Sequence, residues 1–208
     1  SCNQLFLLTG TLTVQLMLLK SRDTVSEEER AFDIQNKYNK ACGRTTTPHN
    51  RLNTLRVTHK NYLTEMREKY KQQVNSLLQL CETYQEEPEN LESDHNIRLE
   101  QHLAKMIEDL STGCTQDMIA LAGLITKAAI DVMGKEPPCG YATVALGSMA
   151  RLEATPYSDM EFFFLVEDKT DENEAYFEHL AVNVYFLIGN LRETNLKYIN
   201  IEELEGRF

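Results

Sequence analysis

From Thr115 to Gly134 the chain reads TQDMIALAGLITKAAIDVMG, and apolar side chains fall on most sides of a helix drawn through it. A helix of that kind cannot stand alone in water, so its neighbours must supply apolar cover from several directions. The preceding segments offer one stripe each. From about Pro48 to Tyr84, Leu52, Leu55, Tyr62, Met66, Tyr70, Val74, Leu77 and Cys81 recur at the spacing of one helix face, and Pro88 is expected to close that helix. Leu99, Leu103, Met106, Ile107 and Leu110 mark another helix, with a stop expected at Thr112-Gly113. Ser26 followed by Glu29 has the pattern of a capping box, and Gly43 that of a stop, which together predict a short helix between them. The opening run, SCNQLFLLTGTLTVQLMLLK, is broken by Thr9, Gly10, Thr11, Thr13 and Gln15, while Leu5, Leu8, Leu12, Leu16 and Leu19 keep a helical spacing. It reads as a buried helix and not as a membrane span or leader, in what is expected to be a piece of a longer chain.

Near Pro137 the pattern changes. After KEPPCG come YATVAL, a short β-type run, then DMEFFFLVE as a second strand. The segment ENEAYFEHLAVNVYFLIGNLRE is a helix whose stripe is Phe177, Leu180, Val184, Leu187 and Leu191, and KYINIEEL has the composition of a third strand. The sequence therefore predicts an α+β protein, with a helical region over 1–136 packed against an α/β module over 137–208 that ends before its sheet is complete.

Charge narrows the class of partner. The 208 residues carry 21 basic and 32 acidic side chains, a formal net charge of −11, which argues against nucleic-acid phosphates or an anionic membrane. The stretch 44–73 is a local exception: seven basic residues, among them Arg56, Lys60, Arg67 and Lys69, face only Glu65 and Glu68. A charged outer helix face is the ordinary meaning of such a patch, and a nucleic-acid or acidic-partner surface the functional one. The five cysteines include no CxxC pair and no histidines at metal-ligand spacing, so neither a zinc site nor a disulfide framework is expected, and the compartment is read as reducing, intracellular and cytoplasmic.

The chemistry-bearing stretch is GSMARLEATPYSDMEFFFLVED, from Gly147 to Asp168. On a strand, side chains alternate between faces, so Asp159 and Glu161 fall on one side while Met160, Phe162 and Phe164 fall on the other. Two carboxylates held side by side repel unless a cation sits between them, and oxygen donors of this kind suit magnesium completed by a substrate's phosphates. Gly147-Ser148, directly after the first strand, lets the backbone approach a phosphate while the Ser148 hydroxyl donates to it. Singly, a Gly-Ser turn and alternating acids on a wet strand face are commonplace. Their order and separation give them weight together.

The run Gly147-Ser148, Arg151, Glu153, Pro156-Tyr157-Ser158-Asp159 and Glu161 resembles the signature of the DNA polymerase beta-like nucleotidyltransferase superfamily. More narrowly it is similar to the group of the PII-protein uridylyltransferases and related nucleotidyltransferases, over about Tyr141 to Val166. The resemblance implies a mixed sheet flanked by helices, a nucleoside triphosphate as substrate, and Mg2+ or Mn2+ as cofactor. Asp159 and Glu161 would be catalytic metal ligands, Gly147 and Ser148 would contact phosphate, and Arg151 would offset phosphate charge, unless it is the ion-pair partner of Glu153 or Asp159. The implied function is transfer of a nucleoside monophosphate to a protein or small-molecule hydroxyl; the alternative is an inactive module kept for nucleotide binding or protein interaction. Three departures bear on the choice. Leu152 stands where the family has Gly, Glu161 where Asp is commoner, and a third carboxylate is unplaced: Glu202 and Glu203 are candidates, or the group lies beyond Phe208, or the chain has none.

Overall fold

A computed structural model of the chain describes residues 27–41, 43, 46–85 and 94–191. In order these form α1 (Glu27–Ala41), α2 (His49–Gln85), α3 (Asp94–Met133), β1 (Tyr141–Ala145), the single turn α4 (Gly147–Ala150), β2 (Phe162–Val166) and α5 (Asp171–Gly189). The protein is α+β. The expected helix of the opening run, the Ser26 cap, the Pro88 stop and the KYINIEEL strand lie outside the described residues.

Two glycines end helices as their positions predicted. Gly43 and Gly134 take left-handed φ values of 70° and 66°, and each returns its N–H to the preceding turn, to Lys40 O at 3.1 Å and Ile130 O at 3.0 Å. Gly113 does not behave this way. In place of a stop at Thr112-Gly113, α3 runs unbroken from Asp94 to Met133. A glycine inside a helix costs about 1 kcal/mol against alanine, and here it makes room for the Tyr70 hydroxyl, which a Cβ would meet at 3.1 Å. Local propensity pointed to a break, and side-chain packing overrode it. The apolar run of α3 is also covered less completely than its composition implies. Met118, Leu121, Ile125, Ala129 and Val132 are buried, but Ile119 and Leu124 are 44% and 45% exposed.

The chain divides into two compact units. The first comprises 1–60, 122–144 and 162–208. Within it α5 starts on the Thr170 hydroxyl, which accepts from Asn173 N at 3.2 Å, with Asp171, Glu172 and Glu174 in the first turn where the helix dipole favours acids. Its predicted stripe, Phe177, Leu180, Val184, Leu187 and Leu191, is buried throughout. The aromatic run of β2 meets it: Phe164 lies 6.0 Å from both Phe162 and Phe177, ring to ring, and Tyr141 of β1 touches Phe164 and Phe177. Helix α1 packs on the same module through Ile34 with Val182 and Phe186.

Between α1 and α5 runs a buried polar chain. Gln35 Nε2 donates to Asn183 Oδ1 at 3.0 Å, and Asn183 Nδ2 donates to Asn39 Oδ1 at 3.0 Å. His179 Nε2 lies 2.9 Å from the same Asn39 oxygen, and since that oxygen only accepts, the network assigns the proton to Nε2.

The second unit comprises 61–121 and 145–161. Its interior includes Leu63, Met66, Tyr70, Cys114, Met118, Met149 and Ala154. Tyr70 Oη donates to Asp117 Oδ2 at 2.9 Å, and Lys69 Nζ reaches the same oxygen at 2.7 Å. Partial burial pulls the Asp117 carboxyl upward, but the hydrogen bonds from Lys69 and Tyr70 and the Lys69 charge outweigh it and hold the group below the usual carboxylate range. Burial pushes the Cys114 thiol up to about 11, which keeps it protonated.

Candidate active site

β1 and β2 form a two-stranded antiparallel sheet whose ladder is closed at one end by Leu146 N to Glu161 O, 2.8 Å, and at the other by Glu167 N to Gly140 O, 2.9 Å. The two predicted strands are thus neighbours. Regular strand structure in β2 begins at Phe162, so Asp159 precedes the strand and Glu161 stands at its threshold. Gly147, Ser148, Arg151, Asp159 and Glu161 all belong to the second unit, while Glu202 and Glu203, the candidates for a third carboxylate, lie outside the described residues.

The segment is built from its backbone outward. Leu146 is extended, with φ −124° and ψ 178°, and Gly147 then turns to φ 54° to open α4. A residue with a side chain is strained in that conformation. A second constraint acts on the same atom position, because a Cβ on Gly147 would run into the Glu161 carboxylate. The Leu146–Glu161 hydrogen bond therefore draws one acid of the pair onto the Gly-Ser turn, and only glycine leaves room for it.

After α4 the backbone turns again at Leu152, φ 59°, the one described non-glycine residue with a left-handed φ. This is the position where the resembling family uses glycine, and the leucine takes up the backbone conformation that a glycine would favour. Glu153 N donates to Ser148 O at 2.9 Å, closing the loop on the Gly-Ser turn. Ala154 N donates to the buried Thr115 hydroxyl at 3.1 Å. A hydrogen-bonded turn over Thr155–Ser158 follows, with Ser158 N to Thr155 O at 3.0 Å and Thr155 N to Ser158 Oγ at 2.9 Å.

The individual side chains differ in their surroundings. Ser148 is half-buried. Asp159 and Glu161 are exposed, and Asp159 makes no hydrogen bond or ion pair with any described residue. Arg151 donates from Nε to Glu153 Oε2 at 2.7 Å, one of the two ion pairs open to it in the sequence. Both partners lie in solvent, so the pair is weak and can open toward a ligand. Among the described residues no group of three or more His, Cys, Asp or Glu side chains could by itself hold a metal ion. The acids of this segment are oxygen donors, a chemistry that fits magnesium better than a thiolate- or imidazole-loving metal.

Sequence reasoning did not single out Arg67 or Thr115, which hold the loop from α2 and α3. The basic stretch 44–73 pointed at the right helix without distinguishing Arg67 from its six fellow cations.

Among the described residues no helix is long and apolar enough to cross a membrane. No curated protein and no solved structure matches the chain. Residues 95–190, which contain the whole Gly147–Glu161 segment, match the family model described as "Putative nucleotidyltransferase DUF294", and over that stretch the chain is similar to nucleotidyltransferases.

Proposed function

We propose that the protein moves a nucleoside monophosphate from a nucleoside triphosphate to a hydroxyl of a protein or small molecule, with Asp159 and Glu161 as the ligands of Mg2+ or Mn2+. The observation that carries this reading is the Glu161 carboxylate set against the left-handed Gly147 turn. It brings a metal-ligating oxygen and a phosphate-approachable backbone to one place. The acceptor oxygen bonds to the α-phosphorus as the bond to pyrophosphate breaks, and the hydroxyl proton passes to a base. A bound divalent ion would supply charge neutralisation at the phosphates.

Ser148 would donate to a phosphate oxygen, and Arg151, released from Glu153, would neutralise charge on the leaving group. For the third carboxylate expected of such an enzyme the sequence holds Glu202 and Glu203 as candidates. The narrower kinship to PII-protein uridylyltransferases rests on Pro156-Tyr157-Ser158-Asp159 in the sequence. An acceptor other than a polynucleotide follows from charge, since 151–208 holds five basic against thirteen acidic residues. Five scattered cysteines with no CxxC pair suit a reducing, cytoplasmic setting.

Calorimetric titration of the chain with each of the common ribonucleoside triphosphates, in magnesium and in chelator, tests the reading. Magnesium is expected to tighten triphosphate binding roughly tenfold or more, and Asp159→Asn to remove that coupling without lowering the melting temperature, because it removes one of two repelling charges. Equal affinity in magnesium and chelator, or intact coupling in Asp159→Asn, would leave the acids as a solvated face and favour an interaction scaffold.

A further inference from the structure

Among the described residues Asp159 has no side-chain partner, so the backbone that carries it is what positions it there. That backbone is pinned at three points. Thr115 holds Ala154, Leu146 holds Glu161, and between them Arg67 of α2 donates from Nε to the Pro156 carbonyl at 3.1 Å. The Arg67 guanidinium also lies over the Tyr157 ring, 4.6 Å from its centre, although that ring is 73% exposed. A planar guanidinium can donate in its plane and stack through its face at once, which an ammonium cannot do. One side chain, 89 residues away in sequence, thereby clamps two consecutive residues of the turn that delivers Asp159. The bonds within Thr155–Ser158 fix the shape of the turn, and Arg67 is the contact that ties the turn itself to α2.

We infer that Arg67 is the positioning residue of the acid pair: seated on Tyr157 and bonded to Pro156, it sets the distance from Asp159 to Glu161 and so the strength of metal-assisted triphosphate binding. This rests on the proposed role of Asp159 and Glu161. It gives one member of the basic stretch a task other than solvation or contact with an acidic partner.

Inorganic tripolyphosphate is the suitable probe, because it reads the acid pair and its metal without involving a base or sugar. The measured quantity is the ratio of its affinities in magnesium and in chelator, with the melting temperature of each variant alongside. Arg67→Ala is expected to reduce that ratio roughly tenfold, as misplacement of a ligand by an ångström can. Tyr157→Ala, a change at an exposed side chain that leaves the core untouched, is expected to reduce it in the same direction, and Tyr157→Phe, which keeps the ring, to restore it. Arg67→Lys keeps the charge and loses the stack, and is expected to fall between wild type and Arg67→Ala. A wild-type ratio in either alanine variant, or in Arg67→Lys when Arg67→Ala is impaired, overturns the inference; in the second case charge alone is responsible. Asp159→Asn separates the two levels. If it abolishes the coupling while Arg67→Ala and Tyr157→Ala keep it, only the positioning role fails. If it keeps the coupling, or wild type shows none, the site reading fails and the inference with it.

Discussion

The two units use polar side chains in opposite ways. In the first, Gln35, Asn39, His179 and Asn183 are buried and bonded to one another between α1 and α5. In the second, the segment from Gly147 to Glu161 keeps its charged side chains in solvent, while its backbone is tied down by Thr115, Arg67 and Leu146. A buried amide that lost its partner would forfeit the full cost of its desolvation, so the first arrangement penalises any other register of α1 on α5. An exposed carboxylate on a fixed backbone bears no such penalty and stays available to a ligand. Polarity between α1 and α5 specifies the fold; along Gly147–Glu161 the charged side chains stay open to solvent.

Substitutions can break this contrast. The largest effect is expected from Asn183→Leu, which strips partners from Gln35 Nε2, Asn39 Oδ1 and the His179 carbonyl inside the protein. A loss of about 3 kcal/mol is expected, seen as a drop in melting temperature of roughly 6–12 °C for a domain of this size. Triphosphate affinity of the folded fraction should not change. A drop of under a degree would show that the network is not what holds α1 to α5.

Gly147→Ala reverses the pattern. Its left-handed backbone costs alanine about 1–2 kcal/mol, and the methyl group must displace the Glu161 carboxylate, which is exposed and swings away at little cost in stability. Magnesium-dependent triphosphate binding should therefore fall far more than the denaturant midpoint does. Unchanged coupling in this variant would separate Glu161 from the turn and remove the main support for the site.

The smallest effect sharpens the comparison. Leu152 holds φ 59° with its side chain half in water, so little packing offsets the backbone strain. Relief of about 1–2 kcal/mol in Leu152→Gly is partly cancelled by the greater freedom of glycine in the unfolded chain, leaving a gain of roughly 0.5–1 kcal/mol. Urea unfolding monitored by circular dichroism reads it directly. A destabilised variant would mean that the leucine side chain makes a contribution larger than the strain.

Much of the scaffold was legible because its signals are local. Glycines at 43 and 134 end helices by taking a backbone conformation that other residues resist, and the stripe of α5 buries the five residues its spacing named. The strands pair as their alternation and intervening turn suggested, and the Gly147–Glu161 segment can be found by its motif. Where the sequence misled, the deciding partner was remote. Gly113 looked like a stop because nothing nearby announces Tyr70, 43 positions earlier in the numbering, whose hydroxyl needs that space. Val74 keeps the helical spacing of a core stripe yet is 39% exposed, since spacing assigns a face but not what covers it.

The sequence by itself determined the α+β class, the helix ends at Gly43 and Gly134, the neighbouring strands, and the segment in which two carboxylates follow a Gly-Ser turn, because each depends on residues within a few positions of one another. Tertiary structure decided what no local pattern encodes. It set the Glu161 carboxylate against Gly147, joined Gln35 and Asn39 to His179 and Asn183 across 140 or more residues, and chose Arg67 from seven neighbouring cations to hold the turn before Asp159. The physical reason is the short range of these forces. A hydrogen bond, a stacked guanidinium or a steric exclusion acts over a few ångströms, and the chain brings such groups within reach only after its apolar faces have found each other.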